Sequence, residues 1–246
     1  ISDIRSEIQY NAVANSSVEK VVKKLDLIYQ FDVLDEEKKV LHQGGLTLTV
    51  SDYAKGAEDG QDISPEIFSF EYSRLSFLKI PFTVNESKLI LRASGQYSGA
   101  ALSEVLQYGL GGPTRARGYG INEFFADDAI FMGSDLVFSG PDFGGATFAG
   151  DKLKNILQPF VFFDASYGIN NSYIEGEDNV NTHLIDVGIG LKIVFSDGLR
   201  GNLSIASPVE SYNSALSAIE EESSDDAAEP TPGSGIKLYF DLQYGF

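Results

Sequence analysis

Ile236-Lys237-Leu238-Tyr239-Phe240-Asp241-Leu242-Gln243-Tyr244-Gly245-Phe246 closes the chain, and its alternation decides the fold. Leu238, Phe240, Leu242, Tyr244 and Phe246 share one parity; Lys237, Tyr239, Asp241, Gln243 and Gly245 share the other. Successive side chains on a strand point to opposite faces, so this stretch is a strand with one apolar and one largely polar face. The pattern recurs along the whole chain. Residues 21–34 set Leu25, Leu27, Tyr29, Phe31 and Val33 against Lys24, Asp26, Gln30 and Asp32. Residues 44–51 set Leu46, Leu48 and Val50 against Thr47, Thr49 and Ser51, and Phe68, Phe70 and Tyr72 oppose Ser69, Glu71 and Ser73. In 88–98, Leu89, Leu91, Ala93 and Tyr97 oppose Lys88, Arg92, Ser94, Gln96 and Ser98, with Ile90 the one apolar residue on the polar side. Residues 3–13 alternate Ile4, Ile8, Tyr10 and Ala12 with Asp3, Arg5, Glu7, Gln9 and Asn11. Segments 129–139, 155–168, 183–195 and 199–207 are strand-like with weaker alternation, and no segment demands a helix.

The chain therefore reads as all-β with about ten strands, most of them as long as the ~9–11 residues that cross a bilayer in a tilted barrel. Strands of soluble globular proteins average about five or six residues. The connections also differ in length. Asp35-Glu36-Glu37-Lys38 and Ser196-Asp197-Gly198 are tight, whereas 100–128, 169–182 and 210–234 are long. Short turns at one end and long loops at the other are the habit of outer-membrane barrels. Segments 79–87 and 140–154 fall on the short side without being tight. A soluble sandwich or lipocalin-like barrel alternates too, but no spare segment remains to cover ten long apolar faces. The expectation is one transmembrane antiparallel β-barrel domain spanning 1–246.

Composition excludes several functions. The net charge is -18, with 36 acidic and 18 basic residues, the wrong sign for binding phosphate backbones, so no nucleic-acid partner is expected. Glu220, Glu221, Glu222, Asp225, Asp226 and Glu229 crowd one stretch, expected to be a solvated extracellular loop within 210–234. There is no cysteine and only His42 and His183, which removes thiolate metal sites and cysteine nucleophiles. Gly109-Leu110-Gly111-Gly112 lacks the Lys-Ser/Thr of a phosphate loop. No catalytic constellation emerges, so the chain is expected to be no enzyme and to need no cofactor or metal.

The most informative stretch is 95–128, GQYSGAALSEVLQYGLGGPTRARGYGINEFFADD. Gly95-Gln96, Leu102, Glu104, Gly111-Gly112, Arg117-Gly118-Tyr119 and Asp127 or Asp128 follow in order, with Ala116 where a Val is usual. In this it resembles the two-partner-secretion outer-membrane transporters, the haemolysin secretion/activation proteins, within the superfamily of barrel-assembly outer-membrane proteins. Pro159-Phe160-Val161-Phe162-Phe163-Asp164-Ala165-Ser166 resembles that family's Phe-x-Asp-x-Gly motif, with Phe162 and Asp164 in the Phe and Asp places and Ser166 in place of Gly. Gly188-Ile189-Gly190-Leu191 and Ala206-Ser207-Pro208 resemble its last strands. The resemblance implies an infolded loop over 100–128 whose motif Gly111, Gly112, Arg117, Gly118 and Tyr119 lies in the barrel lumen. The wall motif Phe162 and Asp164 would meet it. If Phe163 and Ala165 face lipid, Asp164 faces inward, where a buried Arg needs a carboxylate. Phe240, Leu242, Tyr244 and Phe246 resemble the C-terminal signal that the outer-membrane barrel-assembly machinery reads.

The resemblance further implies about sixteen strands, so this chain would be the C-terminal ten, preceded elsewhere by about six strands and periplasmic POTRA domains. It implies translocation of an unfolded exoprotein of adhesin or haemolysin type across the bacterial outer membrane, with membrane lipid and the assembly machinery as further partners. Two alternatives stay open: a barrel-assembly or translocation-assembly insertase, which shares the Arg-Gly-aromatic loop, and a self-contained passive pore or surface barrel.

Overall fold

A computed structural model describes residues 2–9, 17–55, 61–80, 86–121, 123–140, 144–148, 150–174, 176–195, 198–217 and 235–244. Ten strands form its framework: β1 (Ser2–Gln9), β2 (Ser17–Asp35), β3 (Val40–Lys55), β4 (Glu66–Leu78), β5 (Ser87–Tyr97), β6 (Asp128–Val137), β7 (Leu157–Asn170), β8 (Val180–Val194), β9 (Leu199–Asn213) and β10 (Lys237–Tyr244). They make one sheet in sequence order, each pair antiparallel, with β1 and β10 at its two edges. All ten strand segments of the sequence are present, in the expected order. No helix among the described residues is long and apolar enough to cross a membrane, a fact that leaves strands untouched.

Two of the long connections are shorter than expected. The connection expected over 169–182 shrinks, because β7 runs on to Asn170 and β8 begins at Val180. The one expected from 210 starts later, because β9 continues to Asn213. These strand ends mix polar residues with Ile169, Val180 and Tyr212 over stretches too short for alternation to show, and side-chain hydrogen bonds help to join them, such as Asn213 Nδ2 donating to Thr182 Oγ1 at 2.8 Å. Segment 140–154 holds a miniature hairpin of Thr147–Phe148 with Asp151–Lys152 and a single helical turn, α1 (Leu153–Ile156). Another turn of helix occupies 214–217. Four residues are too few for a 3.6-residue period to show in sequence. Tyr10, Ala12, Ser196, Asp197, the acidic run 220–229, Gly245 and Phe246 lie outside the described residues.

The sheet has two distinct faces. Its outer face carries Leu25, Leu27, Tyr29, Val33, Leu46, Leu48, Phe68, Val161, Phe163, Ile189, Leu238, Phe240 and Leu242, all exposed large apolar side chains. Leu27 is 72% and Phe240 68% accessible, a continuous apolar surface far beyond the scattered exposed leucines of a soluble protein. The inner face is polar in large part and carries the long connection between β5 and β6, residues 98–127.

That connection brings its own core. Tyr108, Leu110, Ala116, Tyr119, Phe124 and Ala126 from the loop pack with Phe131 of β6 and Leu184 of β8. Leu102 and Leu106 pack with Val22, Tyr53 and Ile67 of β2, β3 and β4. Strands near both edges thus reach the same loop. A third cluster joins Val137, Phe160, Phe162 and Ala206, with Ile90 against it; this is why one apolar residue stands on the polar face of β5. Burial of each Phe here contributes about 1.5–3 kcal/mol. Gly188 and Gly190 make room for the rings: a Cβ on either would fall 2.2 and 2.3 Å from the Cζ of Phe162 and Phe160.

Candidate functional site

The site is built from the root of the loop to its tip. At the root, Asp127 Oδ1 accepts from the Leu102 N–H and Gln107 Nε2, both at 2.9 Å, and Oδ2 accepts from the Asn171 N–H at 2.7 Å. Burial raises the Asp127 pKa, while those three hydrogen bonds pull against the rise. Asp128 Oδ1 accepts from the Ser98 N–H at 2.7 Å. Gln96 Nε2 donates to the Leu106 carbonyl at 2.9 Å and the Asp127 carbonyl at 3.2 Å. The two adjacent acids and the glutamine therefore fasten both ends of the loop to one place. Gly95 beside them leaves no space for a side chain, since a Cβ would lie 2.6 Å from the Ala129 carbonyl oxygen and from the Phe70 ring.

Along its length the loop is held to the wall by hydrogen bonds to its backbone. Ser166 Oγ donates to the Leu110 carbonyl at 2.9 Å. The close approach occurs two residues on: a Cβ at Gly168 would fall 2.4 Å from the Cβ of Ala126. Tyr108 hydroxyl pairs with Ser94 Oγ at 2.6 Å, and Tyr239 of β10 donates to the Tyr119 carbonyl at 2.7 Å.

The tip is a doubled-back turn. Gly111 and Ala116 form a parallel bridge, and Gly112 has φ +124°, a conformation L side chains rarely adopt. A Cβ on Gly111 would meet the Gly120 carbonyl oxygen at 2.9 Å, so the two glycine-bearing limbs lie against each other. Gly118 is pressed to the wall, where a Cβ would fall 2.6 Å from Asp186 Cβ and 3.0 Å from Pro208 N. Tyr119 is fully buried, its hydroxyl 3.0 Å from the Ile185 carbonyl oxygen and 2.5 Å from that of Glu210. Burial pushes this hydroxyl up to about 12, so it remains a donor whose one proton serves these two acceptors.

Arg117 projects from this turn into a charged cluster on the inner face. Its Nε donates to Asp164 Oδ2 at 2.6 Å and its Nη2 to Asp164 Oδ1 at 3.0 Å, a two-point grip. Nη2 also reaches Asp135 Oδ1 at 2.7 Å. The guanidinium lies 3.5 Å over the Phe162 ring, which places both sequence-predicted wall residues, Phe162 and Asp164, directly against Arg117. Planar, two-point recognition of carboxylate and stacking on an aromatic face are what Arg does and Lys does not. Arg117 is 4% accessible and Asp164 is fully buried.

The sequence reading missed the rest of the cluster. Arg92 Nη2 lies 3.1 Å from Asp164 Oδ1 and 3.2 Å from Asp135 Oδ1, and its Nη1 donates to the Thr114 carbonyl of the loop at 2.8 Å. Lys192 Nζ reaches Asp135 Oδ2 at 3.3 Å. Asp186, paired in register with Asp164 across β7 and β8, is fully buried with both carboxylate oxygens unpartnered among the described residues. Gly133 makes space for the cluster, since a Cβ there would lie 2.6 Å from Asp164 Oδ1 and 3.0 Å from Arg92 Nη2. The only available signal was parity: Arg92, Asp135 and Asp164 share the inward side of three adjacent strands, but Asp135 sat in a segment whose alternation was too weak to orient it.

Phe240, Leu242 and Tyr244 lie on the outer face, far from this cluster in role and exposed; Phe246 lies outside the described residues. Among the described residues no group of His, Cys, Asp and Glu is placed to hold a metal ion. Comparison with family models, with curated proteins and with solved structures finds no match to this chain.

Proposed function

We propose that this chain is the C-terminal part of an outer-membrane β-barrel that translocates an unfolded partner polypeptide, with the 98–127 loop as its internal gate. The observation that carries the reading is the latch: a long loop folded onto the inner face and fixed there by Arg117 on Asp164, Asp135 and Phe162. An ordinary surface loop has no reason to bury an arginine, because burial of a charge costs several kcal/mol before its partners offset it. The apolar outer face fits lipid, and the antiparallel meander is the topology a membrane barrel uses.

On this reading the inner face is the wall of a hydrated pore. Two edge strands, β1 and β10, leave backbone groups that cannot remain unpaired in lipid, so further strands would complete the barrel. The loop would occlude the pore at rest. Passage of a chain requires the tip to leave, which exchanges the ion pairs of Arg117 for water. No nucleotide site is involved; the work would come from the partner's own folding outside. The insertase reading shares the latch, so the latch alone does not separate the two.

The test is Arg117→Ala in the complete protein. Partner secretion should fall to background while membrane insertion and heat-modifiable gel mobility persist. Undiminished secretion would sink the proposal, and loss of barrel-protein assembly with intact secretion of exoprotein would favour the insertase.

A further inference from the structure

Below the loop tip the inner face opens into a cavity of about 930 Å³, bounded by β4, β5, β8, β9 and β10 with Pro113 and Ile121 of the loop over it. Its size falls in the range of ligand-binding cavities, about 300–1,000 Å³. It lies at the end of the sheet where β8 turns into β9. Lys88, Lys192 and Arg200 line it, with Asp241 the single carboxylate of the lining. Leu75, Phe77 and Ile90 line it beside Lys88, which pairs in register with Phe77.

This charge is out of keeping with a chain of net charge -18. Lys192 is matched by Asp135. Among the described residues Lys88 donates to the neutral Gln158, at 3.1 Å, and neither Lys88 nor Arg200 has a carboxylate within ion-pair distance. Arg200 is exposed. Leu75, Phe77, Ile90, Val137 and Val194 give the same lining a substantial apolar share.

Resting on the transport reading, we propose that this cavity receives acidic, partly apolar segments of an extended polypeptide. Lys88 and Arg200 would take its carboxylates, Leu75, Phe77 and Ile90 its apolar side chains, and Gln158, Asn202 and Gln243 its backbone. Electrostatic complementarity of this kind sets capture rate and selectivity more than tightness.

The experiment uses the complete protein in lipid nanodiscs and a fluorescent 15-residue peptide alternating Glu with Leu. A peptide with Lys for every Glu and one with Ser for every Glu serve as comparisons. The acidic peptide should bind best, should weaken steeply as salt rises through the range where screening shortens to a few ångström, and should lose at least about tenfold in affinity in Lys88→Glu/Arg200→Glu. The Lys peptide should gain on the same variant. Neither residue belongs to the latch, and retention of trypsin resistance after Arg115 reports that the loop remains seated. If charge reversal prevents folding, Lys88→Gln/Arg200→Gln gives the same comparison with a smaller loss. Equal binding of the three peptides, preference for the Ser peptide, or acidic-peptide affinity indifferent to the variants overturns the inference. Charge-selective binding by a protein that secretes nothing would leave the cavity's selectivity standing and refute the transport reading; secretion with charge-blind binding would do the reverse.

Discussion

Gly118→Ala isolates the latch without removing a charge. The new methyl carbon would sit 2.6 Å from Asp186 Cβ and 3.0 and 3.1 Å from the N and Cα of Pro208. Carbon atoms rest at about 3.5–4.0 Å, so the tip must lift by roughly 1 Å. The atoms in the way are backbone and a Cβ, which cannot swing aside. Arg117 is the adjacent residue, and its 2.7 and 3.0 Å bonds to Asp135 and Asp164 do not survive such a lift, because beyond about 3.5 Å they are no longer hydrogen bonds. Overpacking of this kind costs about 1–3 kcal/mol. At about 1.4 kcal/mol per factor of ten, the released loop should become about 5- to 150-fold more populated. Trypsin reads that population, since cleavage tracks the open fraction when reclosing is fast. The bond after Arg115 is the reporter: cleavage there should accelerate by the same factor, with the bond after exposed Lys38 unaffected. An unchanged rate after Arg115, or an equal acceleration at both bonds, would refute the reasoning.

Further expectations follow from the same contacts. Arg117→Lys should fail to restore the trypsin resistance lost in Arg117→Ala, because an ammonium cannot span both Asp164 oxygens and stack on Phe162; rescue by Lys would mean charge alone holds the loop. Ser166→Ala and Tyr239→Phe each remove one hydrogen bond to the loop backbone and should each weaken loop seating by about 1 kcal/mol, seen as a roughly fivefold faster cleavage after Arg115; no change in either would place the hold elsewhere. Gly188→Ala would set a methyl 2.2 Å from Phe162 Cζ and 2.3 Å from the Ile205 carbonyl oxygen. It should lower unfolding stability by at least about 2 kcal/mol, and an unshifted denaturant midpoint would contradict the packing described.

The strand framework was legible because each strand carries one apolar face, and parity alone orders such faces. It sufficed to place Asp164 inward from its neighbours Phe163 and Ala165. It failed at Asn170, Thr182 and Asn213, where Ile169, Val180 and Tyr212 stand among polar residues in stretches too short for alternation to show. The latch was half legible. Arg117, Phe162 and Asp164 were found through a resemblance. Arg92, Asp135, Lys192 and Asp186 were not, since they come from three strands and converge only through register. Gly133 and Gly188 carry no side chain whose parity could be read, yet their missing side chains are what let the cluster and the Phe162 ring fit. A glycine defined by what its neighbour occupies cannot be recognised before the neighbour is known.

The composition of the cluster bears on whether it suits a permanent brace or a gate. Counted as formal charges, the sheet contributes Arg92 and Lys192 against Asp135, Asp164 and Asp186, and only Arg117 from the loop brings cations level with carboxylates. A permanent brace is better made from apolar packing, because buried ion pairs recover little beyond their own desolvation. That same balance makes them suited to release. When the loop leaves, the exposed carboxylates and Arg117 regain water, so the separated state is not left with stranded charges. The apolar contacts of Leu110, Ala116 and Tyr119 resist departure, while the ion pairs fix where the tip returns. Replacing the whole charged cluster, Arg92, Arg117, Lys192, Asp135, Asp164 and Asp186, by well-packed apolar residues would then hold the loop more firmly, and the transport reading requires that such a loop close the pore for good.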